Sequence, residues 1–278
     1  MSNKDSLSTR MKEFYENRAK TYLVRRIPVV LRIDGKNFSR FTKGLNKPYD
    51  KIFRDSMSET MKYLCENIQG CKVGYTQSDE ISLLLTDDDT LTTDAWFDYS
   101  EQKLCSISAS MATRVFNKTF AEKTAAYEKR ELGNYASWRS APTEEKKEIF
   151  EYINTLYSKA WLAEFDARCF NIAKEDVVNY FIFRQQDATR NAIQMLGQCN
   201  FPHNELQGKT TDQVQEMLKT EKNINFNDMP TEFKRGSCCI KGGSELRKKW
   251  MIDKEIPIFT KDREYIESCF QKAEEDDD

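Results

Sequence analysis

The chain has 278 residues, 39% of them hydrophobic and 32% charged, with no stretch near the ~20 apolar residues of a membrane span. That length suits one large domain or two modest ones, and the composition describes a highly charged globular protein with no membrane partner. Net charge is −2, but the last five residues, EEDDD, are all acidic, and without them the remainder carries +3. A basic face for a polyanionic partner is therefore permitted, with candidate basic runs at Arg25–Arg26, Lys234–Arg235 and Arg247–Lys248–Lys249.

The opening MSNKDSLSTRMKEFYENRAK lacks the apolar core of a secretory signal. Eight cysteines without a Cys-x-x-Cys pair, beside a single histidine, His203, fit reduced and mostly buried thiols in a cytoplasmic protein. Residues 28 to 34 alternate Val29, Leu31 and Ile33 against Val30, Arg32 and Asp34, which predicts a buried strand broken by Asp34-Gly35. From Pro48 to Ile68, Phe53, Met57, Met61, Leu64 and Ile68 mark one face of a helix, with Pro48 in its first turn and Gly70 ending it. CKVGY and EISLLL read as a hairpin joined by Thr76-Gln77-Ser78-Asp79.

Beyond the hairpin, Leu104, Ile107, Met111 and Val115 predict one helix face, and Glu144 to Phe165 a further helix. FDARCF reads as a strand, Val177 to Gln198 as a long helix, 207 to 230 as a short helix with polar turns, and CCI as a late strand. The end is read as polar. Trp96-Phe97 is read as core at a helix start, and His203 as a packed or surface residue. The sum is one compact α+β body with peripheral helices.

Asp34 and Asp79 stand 45 residues apart, each at the mouth of an apolar strand. If the first strand lies beside the hairpin, the two carboxylates meet, and such a pair repels unless a cation sits between them. Magnesium fits, because it takes oxygen from one or two carboxylates plus substrate phosphates. Two ions roughly 3.5–4 Å apart would serve an in-line phosphoryl displacement. The Gly35 carbonyl can add an oxygen, Lys36 and Lys47 can neutralise a triphosphate, and the amides from Lys36 to Ser39 can cradle it. Phe38 can support a base or pack beneath the loop, and Glu80 reads as a hydrogen-bonding support. Taken singly, each motif is also what a solvated turn looks like; their conjunction points to the site.

RIDGKNFSRF, the Lys47-Pro48 pair, GYTQSDEISLLL and FDARCF…NYFIFRQQDATRNAIQML resemble the tRNA-histidine guanylyltransferase family, most closely its bacterial and archaeal branch of 3′-5′ polymerases. The resemblance runs from about Thr9 to Lys241. It implies a single catalytic domain over 1–278 with a polymerase- or cyclase-like palm, an antiparallel sheet with packed helices, a C-terminal helical elaboration and the acidic tail 274–278. It implies a nucleotidyltransferase using two Mg2+ ions with GTP or ATP to add nucleotides to the 5′ end of tRNA, and a homotetramer. By position, Asp34 and Asp79 are catalytic metal ligands with the Gly35 carbonyl. Lys36, Asn37, Phe38, Ser39 and Ser78 contact the nucleotide, and Lys47 and Lys103 bind triphosphate oxygens.

The pattern departs from the eukaryotic enzymes at Thr189-Arg190-Asn191-Ala192, where they carry His-Ile-Asn-Asn, and at Ser39, where they carry histidine. These departures favour template-directed repair of a truncated 5′ end, read by base pairing rather than by protein contacts to sequence. Arg184, Arg190, Lys234 and Arg235 are candidates for gripping RNA phosphates. Two other readings share the residues: a nucleotidyl cyclase, and a non-catalytic RNA-binding protein of the same fold.

Overall fold

A computed structural model describes residues 6–133, 143–242 and 249–271. Arg247, Lys248 and the acidic tail 274–278 lie outside the described residues. Six antiparallel strands form one sheet in the order β4-β1-β3-β2-β5-β6, where β1 is Val29–Gly35, β2 Cys71–Gln77, β3 Glu80–Leu85, β4 Phe165–Asn171, β5 Ser237–Lys241 and β6 Trp250–Asp253. The helices are α1 (Leu7–Phe14), α2 (Phe38–Phe41), α3 (Lys51–Asn67), α4 (Glu101–Gly133), α5 (Thr143–Lys159), α6 (Val177–Asn200), α7 (His203–Leu206), α8 (Thr211–Lys222), α9 (Thr231–Arg235) and α10 (Glu264–Phe270).

The alternation expected of the first strand is realised. Val29, Leu31 and Ile33, with Ile81, Leu83 and Leu85 of β3, pack beneath α3 and α4 in an apolar layer that includes Phe53, Met57, Met61, Leu64, Phe116 and Phe120. The opposite face carries Val73, Tyr75, Leu84 and Cys238 against Val177, Val178 and Phe181 of α6 and against Phe259 and Ile266. Helices on both faces explain why EISLLL is buried at every position. A register shift between Cys71 and Val73 reverses the parity of β2, so Cys71 faces one layer and Val73 the other. A third apolar group joins the C-terminal half of α6 to α8 and Phe226.

Several boundaries differ from the sequence reading. Helix α3 starts at Lys51 rather than at Pro48, because Asp50 is its N-cap: its carboxylate accepts the Phe53 N–H at 2.9 Å, the Asn46 N–H at 3.1 Å and the Tyr152 hydroxyl at 2.6 Å. Pro48 precedes the cap, after a cis peptide bond with Lys47. The hairpin turn is two residues, Ser78 and Asp79, with Ser78 at φ 49°, since Thr76 and Gln77 still pair with Ile81 and Glu80. Gly70, at φ 78°, turns the chain into β2, and a Cβ there would lie 2.5 Å from the Thr86 carbonyl oxygen.

On α4 the buried face runs through Leu104, Ser108, Ala112, Val115, Phe116 and Phe120, leaving Ile107 39% exposed. Small residues turn inward there because the helix lies close on the sheet. Helix α5 ends at Lys159, and Phe165 belongs to β4, whose register places it opposite Gly35. The end of the chain is not merely polar: β6 pairs with β5, and Ile256, Phe259 and Ile266 are buried. All eight cysteines are free thiols, four buried, three half-buried and Cys199 exposed. Among the described residues no helix is long and apolar enough to cross a membrane.

Asp50→Ala should lower stability by about 2 kcal/mol, since it removes a cap and strands buried donors. Urea unfolding should show a lower midpoint with an unchanged slope.

Candidate active site

Pairing of β1 with β3 sets Asp34 opposite Glu80, and the Gly35 N–H donates to the Asp79 carbonyl oxygen at 3.0 Å. The end of the first strand and the hairpin turn are therefore adjacent. Asp34 is half-buried, with Arg32 Nη2 at 3.8 Å and Arg168 Nη2 at 4.0 Å from its Oδ2. Burial is the main cause that pushes the Asp79 carboxyl above its ordinary pKa, and the charges of Asp34 and Glu80 add to it. The Ser78 hydroxyl, 2.9 Å from Oδ1, and the Asp79 backbone amide pull the other way. Asp79 is thus an acid held at some electrostatic cost beside two others, a cost that a cation would offset.

The donor set fits a hard cation. It consists of carboxylate and backbone oxygens, and among the described residues no cluster of three or more His, Cys, Asp or Glu is placed to hold a metal. Two carboxylates with the remaining positions left to substrate phosphates and water is how magnesium is bound, and is unlike a closed zinc site.

Gly35 is required by close approach. A Cβ there would sit 2.4 Å from a ring carbon of Phe38. That ring packs beneath the loop, buried among Phe41, Phe53, Phe116 and Phe165, so only its backbone faces the site. Asn37 is left-handed at φ 55° and the residues after it are right-handed. This change of hand turns successive N–H groups toward one point and can cup an anionic oxygen. Ser39 is exposed beside it. Lys36, also exposed, is bridged to Glu164 at 2.6 Å, a surface pair that a phosphate can displace at little cost.

Ser78 and Lys47 line a cavity of about 160 Å3 on the other side of the turn. Its walls are largely apolar, with Pro48, Tyr49, Ala192, Met195 and Phe233 among them, and Gln77 and Asn191 add amide groups. That is the make-up of a slot for a flat heterocycle with a few polar groups to orient it. Lys103 is not brought to this place. Near it Cys105 Sγ lies 3.6 Å from Cys169 Sγ, whereas Thr113 Oγ1 accepts the Phe165 N–H beside Gly35. Lys103 is ten residues before Thr113, about 15 Å along the helix, and its ammonium sits 5.4 Å from the Phe97 ring centre.

Arg184 does not grip phosphate either. It is 5% exposed and donates from Nε and Nη2 to the two oxygens of Glu80 at 2.7 and 2.6 Å. Glu80, 4% exposed, also takes Arg32 Nη2 at 2.5 Å. The support expected of Glu80 is real, but its partner was missed; the signal lay in the charge of Arg184 at a position whose neighbours Phe181 and Ala188 share its buried helix face. Arg190, Lys234 and Arg235 do come together, lining a separate cleft of about 500 Å3 with Gln186, Gln215 and Asn227. Also missed were Arg168 and Asp166, which the register of β4 sets beside Arg32 and Asp34.

Comparison with known proteins gives one consistent answer. The family model for tRNAHis guanylyltransferase matches residues 8–173, more than half of the chain. A bacterial tRNA(His) guanylyltransferase-like protein solved in complex with ATP superposes with a TM-score of 0.80 at 43% identity, covering 96% of this chain and 100% of that one. One solved in complex with GTP gives 0.71 at 39% identity over the same shares. The tRNA(His) guanylyltransferase of Saccharomyces cerevisiae is 26% identical over 233 residues, 78% of this chain and 84% of its own.

The raised Asp79 pKa has a stability consequence. A carboxyl whose folded value exceeds its unfolded one contributes stability below the unfolded value, near 3.9, and loses it as pH rises through the folded value. In metal-free buffer, Asp79→Asn should therefore melt higher than wild type at neutral pH. The gap should close as pH falls toward about 4, read by calorimetry across that range.

Proposed function

The chain belongs to the tRNAHis guanylyltransferase family of nucleotidyltransferases, and on that premise we propose that it extends the 5′ end of tRNA in the 3′-5′ direction, restoring missing nucleotides against the opposite strand of the acceptor stem. The observation that carries this reading is the adjacency of Asp34, Gly35 and Asp79 beside a largely apolar cavity edged by Ser78 and Lys47. ATP and GTP are the nucleotides supported by the two solved bacterial complexes.

In the first step a 5′-monophosphate oxygen attacks the α-phosphorus of the nucleoside triphosphate and pyrophosphate leaves. In the second the 3′-hydroxyl of an incoming nucleotide attacks the activated 5′ phosphorus and the nucleoside monophosphate leaves. Asp34 and Asp79, with the Gly35 carbonyl, would hold the two Mg2+ ions. Bound there, magnesium supplies positive charge that lowers the pKa of the attacking hydroxyl and offsets charge growing on the phosphorus oxygens. The protein's own work is positioning. The slot orients the base, the N–H groups of Phe38 and Ser39 after Asn37 donate to phosphate oxygens, and Lys47 at the cavity edge, with no ion pair among the described residues, neutralises the departing pyrophosphate.

The cleft of Arg190, Lys234 and Arg235 shares α6 and α9 with the cavity, and three cations there suit the backbone of the RNA. Free thiols throughout support a cytoplasmic setting, and apolar side chains exposed on α1, Leu7 and Phe14, and at the residue after it, Tyr15, support assembly into a homotetramer.

Incubation with Mg2+, nucleoside triphosphates and a tRNA lacking its first nucleotide should give products lengthened at the 5′ end, opposite a complementary base only. Failure to extend under every metal and nucleotide condition would overturn the reading, and cyclic nucleotide formed without RNA would point to a cyclase. Asp34→Ala and Asp79→Ala should each lower extension about 100-fold or more while leaving far-ultraviolet circular dichroism unchanged. Lys47→Ala should raise KM for the triphosphate about tenfold, the worth of one charge-assisted bond. Alanine at Arg190, Lys234 or Arg235 should each reduce the salt dependence of RNA binding by about one unit of slope.

A further inference from the structure

Glu80 follows Asp79 in sequence and faces Asp34 across the ladder, yet its acceptor positions are filled. Oε1 receives Arg184 Nε at 2.7 Å and the Ser82 hydroxyl at 3.4 Å, and Oε2 receives Arg184 Nη2 at 2.6 Å and Arg32 Nη2 at 2.5 Å. A carboxylate accepts at about four places. A third acid at the site is thereby withdrawn from it. Arg184 supplies two of the four donors and also bonds Asp187 at 3.2 Å, one turn further along its own helix.

Arg184 marks the point at which α6 leaves the sheet. Before it, Val177, Val178 and Phe181 belong to the apolar layer on the strands. After it, Ala188, Asn191, Ala192 and Met195 line the cavity. Residues 184, 188, 191 and 195 fall on one stripe at helical spacing. One guanidinium thus ties the hairpin turn to the helix that walls the cavity. Because the fork is planar and bidentate, it fixes direction as well as distance, which a lysine ammonium does not.

We propose that Arg184 is a positioning residue for nucleotidyl transfer: by occupying Glu80 it locks the Ser78–Asp79 turn in register with α6 and leaves Asp34 and Asp79, not Glu80, to face the reacting phosphates. This rests on the nucleotidyltransferase reading above. It separates placement of the carboxylates from binding of the nucleotide, so the two should respond differently to substitution.

The test compares wild type with Arg184→Lys, Glu80→Gln and the double variant. In Arg184→Lys, kcat for 5′ addition should fall about tenfold or more while KM for the triphosphate stays within about threefold. Mn2+ binding without nucleotide, followed by electron paramagnetic resonance, should weaken at least about threefold. Amide exchange should quicken in residues 74–85 and not in 165–171. The double variant should lose no more than Arg184→Lys alone, because both changes break one contact. If Arg184→Lys does not fold, Glu80→Gln must show the same kcat-selective loss.

A kcat within about twofold of wild type, a rise in KM at constant kcat, or losses that multiply in the double variant would each overturn the proposal. Wild-type protein that binds neither Mn2+ nor nucleotide would overturn the site reading itself, and that failure is visible before any substitution.

Discussion

Antiparallel pairing of β1 with β3 is the constraint from which the site follows. The ladder sets Val29 opposite Leu85 and runs without a shift to Asp34 opposite Glu80. A strand's side chains alternate, so a slip of one residue would send Arg32 and Asp34 into the layer under α3 and α4 and bring Ile33 out. Three apolar residues on each strand resist that slip, each worth about 1.5–3 kcal/mol when fully buried. The placement of a polar centre is thus enforced by the apolar residues around it.

Charge is the second constraint. Asp34, Asp79, Glu80, Asp166 and Asp187 cluster at one end of the sheet, and Arg32, Arg168 and Arg184 answer part of their charge. Glu80 and Arg184 are nearly sealed from water, where losing one partner of an ion pair costs about 3–5 kcal/mol. The exposed bridge of Lys36 with Glu164 belongs to the opposite regime, worth about 0–1 kcal/mol. The first holds geometry. The second can yield to a ligand.

Helix α6 serves three surfaces in succession. Its first turns seal the sheet, its middle walls the cavity, and its last turns join α8 in a separate apolar group. Its basic Arg190 turns toward the second cleft, where Lys234 and Arg235 of α9 join it. The apolar cavity edged by Ser78 and Lys47 and the basic cleft are therefore two sides of one ridge made by α6 and α9.

The sequence by itself determined the strand, helix and hairpin around the acids, because alternation and helical spacing are local patterns that burial enforces. It also put Asp34 and Asp79 at adjoining positions, once the strand was supposed to lie beside the hairpin. Other features depended on which element lay against which. Arg184 carries the same charge as Arg190, and only the approach of α6 to Glu80 makes one a buried clamp and leaves the other exposed. Lys103 and Lys47 are alike as residues, and the run of α4 away from the turn separates them. Phe38 turned inward because Gly35 gave its ring room and four phenylalanines surrounded it. A side chain's identity states what it can do, but its surroundings, assembled from distant parts of the chain, decide which of those things it does.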